Sequence, residues 1–191
     1  MERLDYIARH EGRLDVSGAP EGYDAFIAAA AARTRAAGTW NPVLFIVPDD
    51  VRAEALAGAI RFFAPEIDVL PFPAWDCLPY DRASPKPDIV SRRLATLARL
   101  TRRAPGPCVV VATVNAVLQR VPPRSFIAEA SFAAVTGAEV DREALTAFLA
   151  GNGYVRAGTV REPGDFSLRG GIIDLWPPSH EKDAAQPPRL A

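Results

Sequence analysis

The sequence predicts an α/β protein in two parts. A parallel-sheet domain spans residues 21–121 and a small α+β domain spans 122–191, behind a tail of residues 1–20. Three observations carry this. Two continuous apolar runs, Val43–Val47 and Cys108–Ala112, have the β-branched character of strands buried on both faces. Helical patterns separate them, the strand-helix alternation of a parallel sheet. Beyond Pro122-Pro123 the alternation stops, and two short runs of β-formers, Phe166–Arg169 and Ile172–Trp176, flank the pair Gly170-Gly171.

Residues 1–20 are polar and mixed, which predicts a tail or an extra strand. Tyr23–Ala37 is Ala-rich and helix-forming, with Gly38 at the C′ position and Tyr23, Phe26, Ile27, Ala30 and Thr34 as its apolar face. After the Val43–Val47 strand, Pro48-Asp49-Asp50 caps a helix with Ala53, Leu56, Ile60 and Phe63 at helical spacing. Asp68–Leu70 is a shorter strand. Asp88 caps a helix running to Thr101, and Thr113 caps VNAVLQRV, which Pro122-Pro123 ends. In the second domain Ser131–Thr136 is expected to be a strand. Asp141 caps REALTAFLA, with Val140 and Leu145 placed as a hydrophobic staple and Gly151-Asn152-Gly153 as the stop. Tyr154-Val155-Arg156 leads to the turn Pro163-Gly164-Asp165. The two runs that follow form either a hairpin or one strand bulged at the glycines, with Arg169 at the bend. After Pro178 the chain turns polar and Pro-rich, SHEKDAAQPP, and the small domain is expected to be cut short at its C-terminus.

Composition narrows the function. Hydrophobic content of 49% and charged content of 24% are those of a soluble globular protein. A net charge of −1 gives no global basic field for holding nucleic acid by counterion release. Cys77 and Cys108 read as reduced thiols, and two Cys with only His10 and His180 do not make metal-ligand spacing, so no metal is expected. No apolar run approaches the roughly 18 residues of a membrane span, and the N-terminus has no apolar signal region. A cytoplasmic protein is expected.

The catalytic motifs are missing. The turn after the first strand, Pro48-Asp49-Asp50-Val51, has two carboxylates where a phosphate loop needs glycines and a lysine. Of 22 basic residues only Lys86 and Lys182 are lysine, and neither follows a strand and a Gly-rich loop. No dinucleotide fingerprint or nucleophile elbow occurs. Asp76, Asp81 and Asp88 suit turns and caps better than acid-base chemistry. This is a non-enzymatic reading with no cofactor.

Two surfaces stay open. The segment Pro71–Pro85 is stiffened by prolines and carries Phe72, Trp75 and Tyr80, either packed on its own domain or offered as a stacking surface. The following helix carries Arg92, Arg93 and Arg99, then Arg102 and Arg103. It is either a solvated face or a patch for nucleic acid or an acidic partner.

Two long strings resemble one family. EPGDFSLRGGIIDLWP and FPAWDCLPYDRASPKPDIVSRRLATLARL resemble, in the same order, strings of the N-terminal module of the transcription-repair coupling factors, the Mfd family. A string related to the first occurs in UvrB. The similarity runs from Val43 to Pro178. It implies a degenerate RecA-like, helicase-type sheet without ATPase motifs, followed by a UvrB-interaction-type domain that recruits UvrA in transcription-coupled nucleotide excision repair. The resemblance assigns UvrA contact to Arg169 and to Arg189. It implies a monomeric, non-catalytic fragment of an ATP-dependent DNA translocase. ATP and Mg, RNA polymerase and DNA would then be bound by domains outside this chain. The alternative is a nucleic-acid-binding domain using Arg92, Arg93 and Arg99 with Trp75 and Tyr80.

Overall fold

The computed structural model describes residues 2–36, 40–78, 80, 82, 84–102, 105–132, 134, 136–162, 164–177 and 189–190. Gly38, Asp81, Arg103, Pro163, His180 and Lys182, named above, lie outside these residues. The chain divides into two compact units, Met1–Pro122 and Pro123–Ala191.

In the first unit α1 (Glu2–Arg9) packs against α2 (Tyr23–Ala36). The expected tail is therefore a helix over Glu2–Arg9. Leu4, Ile7 and Ala8 fall at i, i+3 and i+4, which gives this short element an apolar stripe, and Ala8 is buried. Three strands follow in βαβ order: β1 (Val43–Val47), α3 (Asp50–Phe63), β2 (Asp68–Phe72), α4 (Pro87–Arg102), β3 (Cys108–Thr113) and α5 (Val114–Leu118). They form a parallel sheet in the order β1-β3-β2, with Val43 opposite Val109 and Val69 opposite the same residue on the other side. β3 is central and all six of its residues are buried.

Alternation along the strands divides the core. Val47, Val69, Val109 and Val111 pack under α2 and α3 with Leu56, Ala57 and Ile60. Val110, Ala112 and Phe72 face Leu97, Leu100 and Ala116 of α4 and α5. α2 turns its alanines inward: Ala25, Ala28, Ala29 and Ala32 are buried. The face expected from Tyr23, Phe26 and Thr34 is rotated, because small side chains let the helix approach the sheet closely. Phe26 lies outside on Phe63, with ring centroids 4.8 Å apart. Asp49 caps α3, accepting from the Arg52 amide at 2.8 Å, and Thr113 caps α5. α4 begins at Pro87, so Asp88 sits in its first turn, paired with Arg92, instead of capping it. α5 stops at Leu118, short of the proline pair.

The second unit contains α6 (Arg124–Glu129), α7 (Arg142–Gly151), β4 (Val155–Arg156), β5 (Asp165–Arg169), β6 (Ile172–Leu175) and β7 (Arg189–Leu190). Its sheet order is β4-β5-β6-β7, parallel at β4/β5 and antiparallel elsewhere. The strand expected at Ser131–Thr136 does not form at its described residues. Strand propensity is only as good as the ladder available, and Phe132 instead lays its ring on Phe148 of α7. Asp141 caps α7 by accepting from the Glu143 and Ala144 amides, and Leu145 and Leu149 pack on Phe166, Ile173 and Leu175. No helix among the described residues is long and apolar enough to cross a membrane.

Ile60 and Phe62 test this layering as a pair. Ile60 is fully enclosed and Phe62 is 80% exposed. Ile60→Ala should lower unfolding stability by about 3 kcal/mol. Phe62→Ala should change it by less than about 0.5 kcal/mol, both read from denaturant midpoints.

Candidate partner-binding site

The Gly170-Gly171 pair closes a two-residue hairpin, not a bulge: Arg169 is opposite Ile172. Gly170 takes φ +60°, the left-handed region such a tight turn requires. The far end of the hairpin is pinned too. Asp165 accepts the Arg161 and Glu162 amides at 3.1 Å each, and the Gly164 amide donates to the Trp176 carbonyl at 2.7 Å. With both ends fixed, register decides which side chains share a face.

Phe166, Leu168, Ile173 and Leu175 take the face toward α7. Ser167, Arg169 and Asp174 take the other. Ser167 is buried and donates to the Gly158 carbonyl at 3.2 Å. Asp174, directly opposite Ser167, is also buried. Arg169, one step diagonally along, places Nη2 2.5 Å from Asp174 Oδ2 while its side chain stays 58% exposed. Arg189 lies opposite Asp174 on the other flank, by backbone register. By strand register, both arginines that the resemblance assigns to the partner thus hold positions next to that of one buried carboxylate, Asp174.

Two residues here escaped sequence reasoning. Asp174 had a signal, a lone carboxylate inside the apolar run Ile-Ile-Asp-Leu-Trp. Arg142 begins α7 and directs Nη1 to the Gly170 carbonyl at 3.4 Å, beside the turn. A cation in the first helical turn opposes the macrodipole, and such a local conflict often marks a placement made for another purpose.

The second candidate surface resolves differently. Arg93 is 1% exposed, so it does not belong to a surface patch. Its guanidinium is bracketed by the rings of Phe72 and Trp75, 4.2 and 4.4 Å from their centroids. It donates to the Pro73 carbonyl at 2.7 Å and to Gln119 Oε1 at 3.2 Å. Burial pulls its pKa below the usual arginine value, and the ring faces with the carbonyl offset the lost hydration. Gln119 also receives the Trp75 amide, and Thr96 donates to the Pro71 carbonyl. A segment with four prolines has carbonyls to satisfy, and α4 supplies the donors. Arg92 pairs with Asp88 at 3.3 Å and Arg99 with Asp68 at 2.8 Å. Trp75 is half-buried by the bracket, whereas Tyr80 is 98% exposed. The five residues therefore do not make one basic, aromatic surface.

A parallel α/β unit joined to a small unit built on this hairpin is a UvrB-like module. Residues 133–186 match the UvrB interaction domain family. The chain is similar to the transcription-repair-coupling factor of Escherichia coli (strain K12), 36% identical over 141 residues, covering 74% of this chain and 12% of that protein. The factor of Myxococcus xanthus is 32% identical over 149 residues, and that of Bacillus subtilis (strain 168) 29% over 144, each again 12% covered. By sequence the chain corresponds to the N-terminal, UvrB-like region of the Mfd-type transcription-repair-coupling factors, which bears out the resemblance. It spans about an eighth of the length of these relatives.

Arg93→Lys keeps the charge but loses the planar fork and the stacking, and should cost about 2 kcal/mol in a denaturant melt. Burial first, and the Asp68 carboxylate second, push the Cys108 thiol up to about 11, with Arg99 opposing. At pH 8, iodoacetamide should therefore alkylate half-buried Cys77 and spare Cys108 until denaturant is added; peptide mass mapping checks this.

Proposed function

We propose that this chain is a docking module that recruits UvrA in transcription-coupled nucleotide excision repair, with Arg169 as its central contact and Arg189 beside it. The observation that carries the reading is the exposed guanidinium of Arg169, held at a pinned hairpin turn within the UvrB interaction domain match. A fixed arginine fork suits bidentate recognition of a carboxylate, and arginine is enriched at interface hot spots. The module acts without catalysis or cofactor of its own. The carboxylate of Asp49 already occupies the N-terminus of α3, the position a nucleotide phosphate takes in a phosphate-loop protein. ATP and Mg, DNA and RNA polymerase are bound by other domains of the longer protein. The module works as a monomer in the cytoplasm.

Calorimetry of this chain against purified UvrA tests the reading. Arg169→Lys preserves a cation beside Asp174 and should leave the melting temperature near the parent value. It should nevertheless cost about 2 kcal/mol of affinity. Arg169→Glu should abolish binding, with some loss of stability because it sets a second carboxylate next to Asp174. Unaltered affinity in both variants would remove Arg169 from the interface.

A further inference from the structure

The hairpin carries a second acidic-basic relationship that the docking reading leaves unused. A carboxylate is almost never fully buried unless it is paired, and Asp174 is 5% exposed in the middle of β6. Its neighbours on the same face are Ser167 on β5, directly opposite, and Arg169, one diagonal step away. Arg189 is opposite by register on β7. Cross-strand diagonal neighbours lie about 7–8 Å apart, a span that a long side chain such as arginine bridges.

The pair is asymmetric. Asp174 is enclosed, while Arg169 keeps 58% of its side chain in solvent. An exposed arginine loses considerable rotamer freedom when a partner immobilises it. A buried anion that already holds Nη2 has met part of that loss in the free protein. Nε and Nη1 have no acceptor among the described residues and remain for a partner. The turn beneath is fixed by Gly170, and the Arg142 guanidinium, reaching from α7 on the opposite face, donates to the Gly170 carbonyl at 3.4 Å and puts a second positive charge at the turn.

We infer that Asp174 is a positioning residue for docking: it holds the Arg169 guanidinium ready so that its free edge receives a carboxylate of the partner. This rests on the reading of Arg169 as the docking contact. The partner group so selected is a single exposed Asp or Glu approached edge-on. A phosphate, which favours several converging donors, is a poorer match for one half-occupied fork.

A double-mutant cycle tests it, with purified UvrA as the probe and the full chain as the binder. Asp174→Asn is nearly isosteric and removes only the charge. It should weaken binding roughly tenfold with Arg169 present and less than about twofold in an Arg169→Ala background, the coupling expected of residues in contact. An equal loss in both backgrounds would make Asp174 a fold residue only and overturn the inference, while the docking reading stands. If the parent chain binds and Arg169→Ala does not weaken it, the docking reading fails and this inference fails with it. A readout independent of UvrA separates the two further. In the free parent chain the Arg169 guanidinium protons should give distinct, slowly exchanging NMR signals, which Asp174→Asn averages. Signals already averaged in the parent would overturn the positioning role whatever the binding data show.

Discussion

A slip of one residue between β5 and β6 would turn the second unit inside out. Side chains alternate along a strand, so Phe166, Leu168, Ile173 and Leu175 reach α7 together only when Arg169 faces Ile172. The same register sends Ser167 and Asp174 to the opposite face and leaves Arg169 at the rim. The packed core and the opposite face that carries Arg169 and Asp174 are therefore one decision, taken by a two-residue glycine turn. Asp165 guards it at the other end by tying down the Arg161 and Glu162 amides. Hydrophobic burial supplies the drive, and the turn supplies the choice between the two faces.

The chain uses the same side chain in two opposite ways. Arg93 is enclosed, bracketed by Phe72 and Trp75, and its cation organises a proline-rich segment with few amide donors. Arg169 is tethered at one edge and offers the rest to solvent. What separates them is where the aromatic area lies. Large rings around a guanidinium replace its water and make it part of the fold. A guanidinium bordered by glycines and one carboxylate keeps its water until something displaces it. Arg99 and Arg92, each paired on the surface with an aspartate, are intermediate and energetically minor.

Much of this was legible in residue order. The runs Val43–Val47 and Cys108–Ala112 became parallel strands because nothing polar interrupts them, but only the central one is buried on both faces, since β1 at the sheet edge leaves Leu44 and Ile46 exposed. Asp49, Thr113 and Asp141 cap as their positions predict. Gly170-Gly171 marked the bend but left hairpin and bulged strand both open, and the pairing of Arg169 with Ile172 decides for the hairpin. What misled was any feature decided by a partner distant in sequence. Arg93 looks like its neighbour Arg92 until the segment from β2 folds over it. The inward face of α2 is its alanines because of what it approaches, which no count of large apolar residues reveals. Ser131–Thr136 has strand-forming residues and finds no ladder at those described. Asp174 was passed over because its meaning lies in residues on two other strands.

The strand order β1-β3-β2 has a consequence for the time course of synthesis. Val43 is made before Val109, its only ladder partner among the described residues, with α3, β2 and α4 all intervening. At roughly 5–20 residues per second on the ribosome, β1 must wait several seconds for the strand that covers it. Throughout that interval Leu44, Phe45 and Ile46 form an unpaired apolar edge, open to chaperones and to other nascent chains. The hairpin that follows has no such delay, since Phe166 and Leu175 are close neighbours along the chain and closing it takes microseconds. The scaffold is thus vulnerable before it is complete, whereas the β5–β6 hairpin forms almost as soon as it emerges.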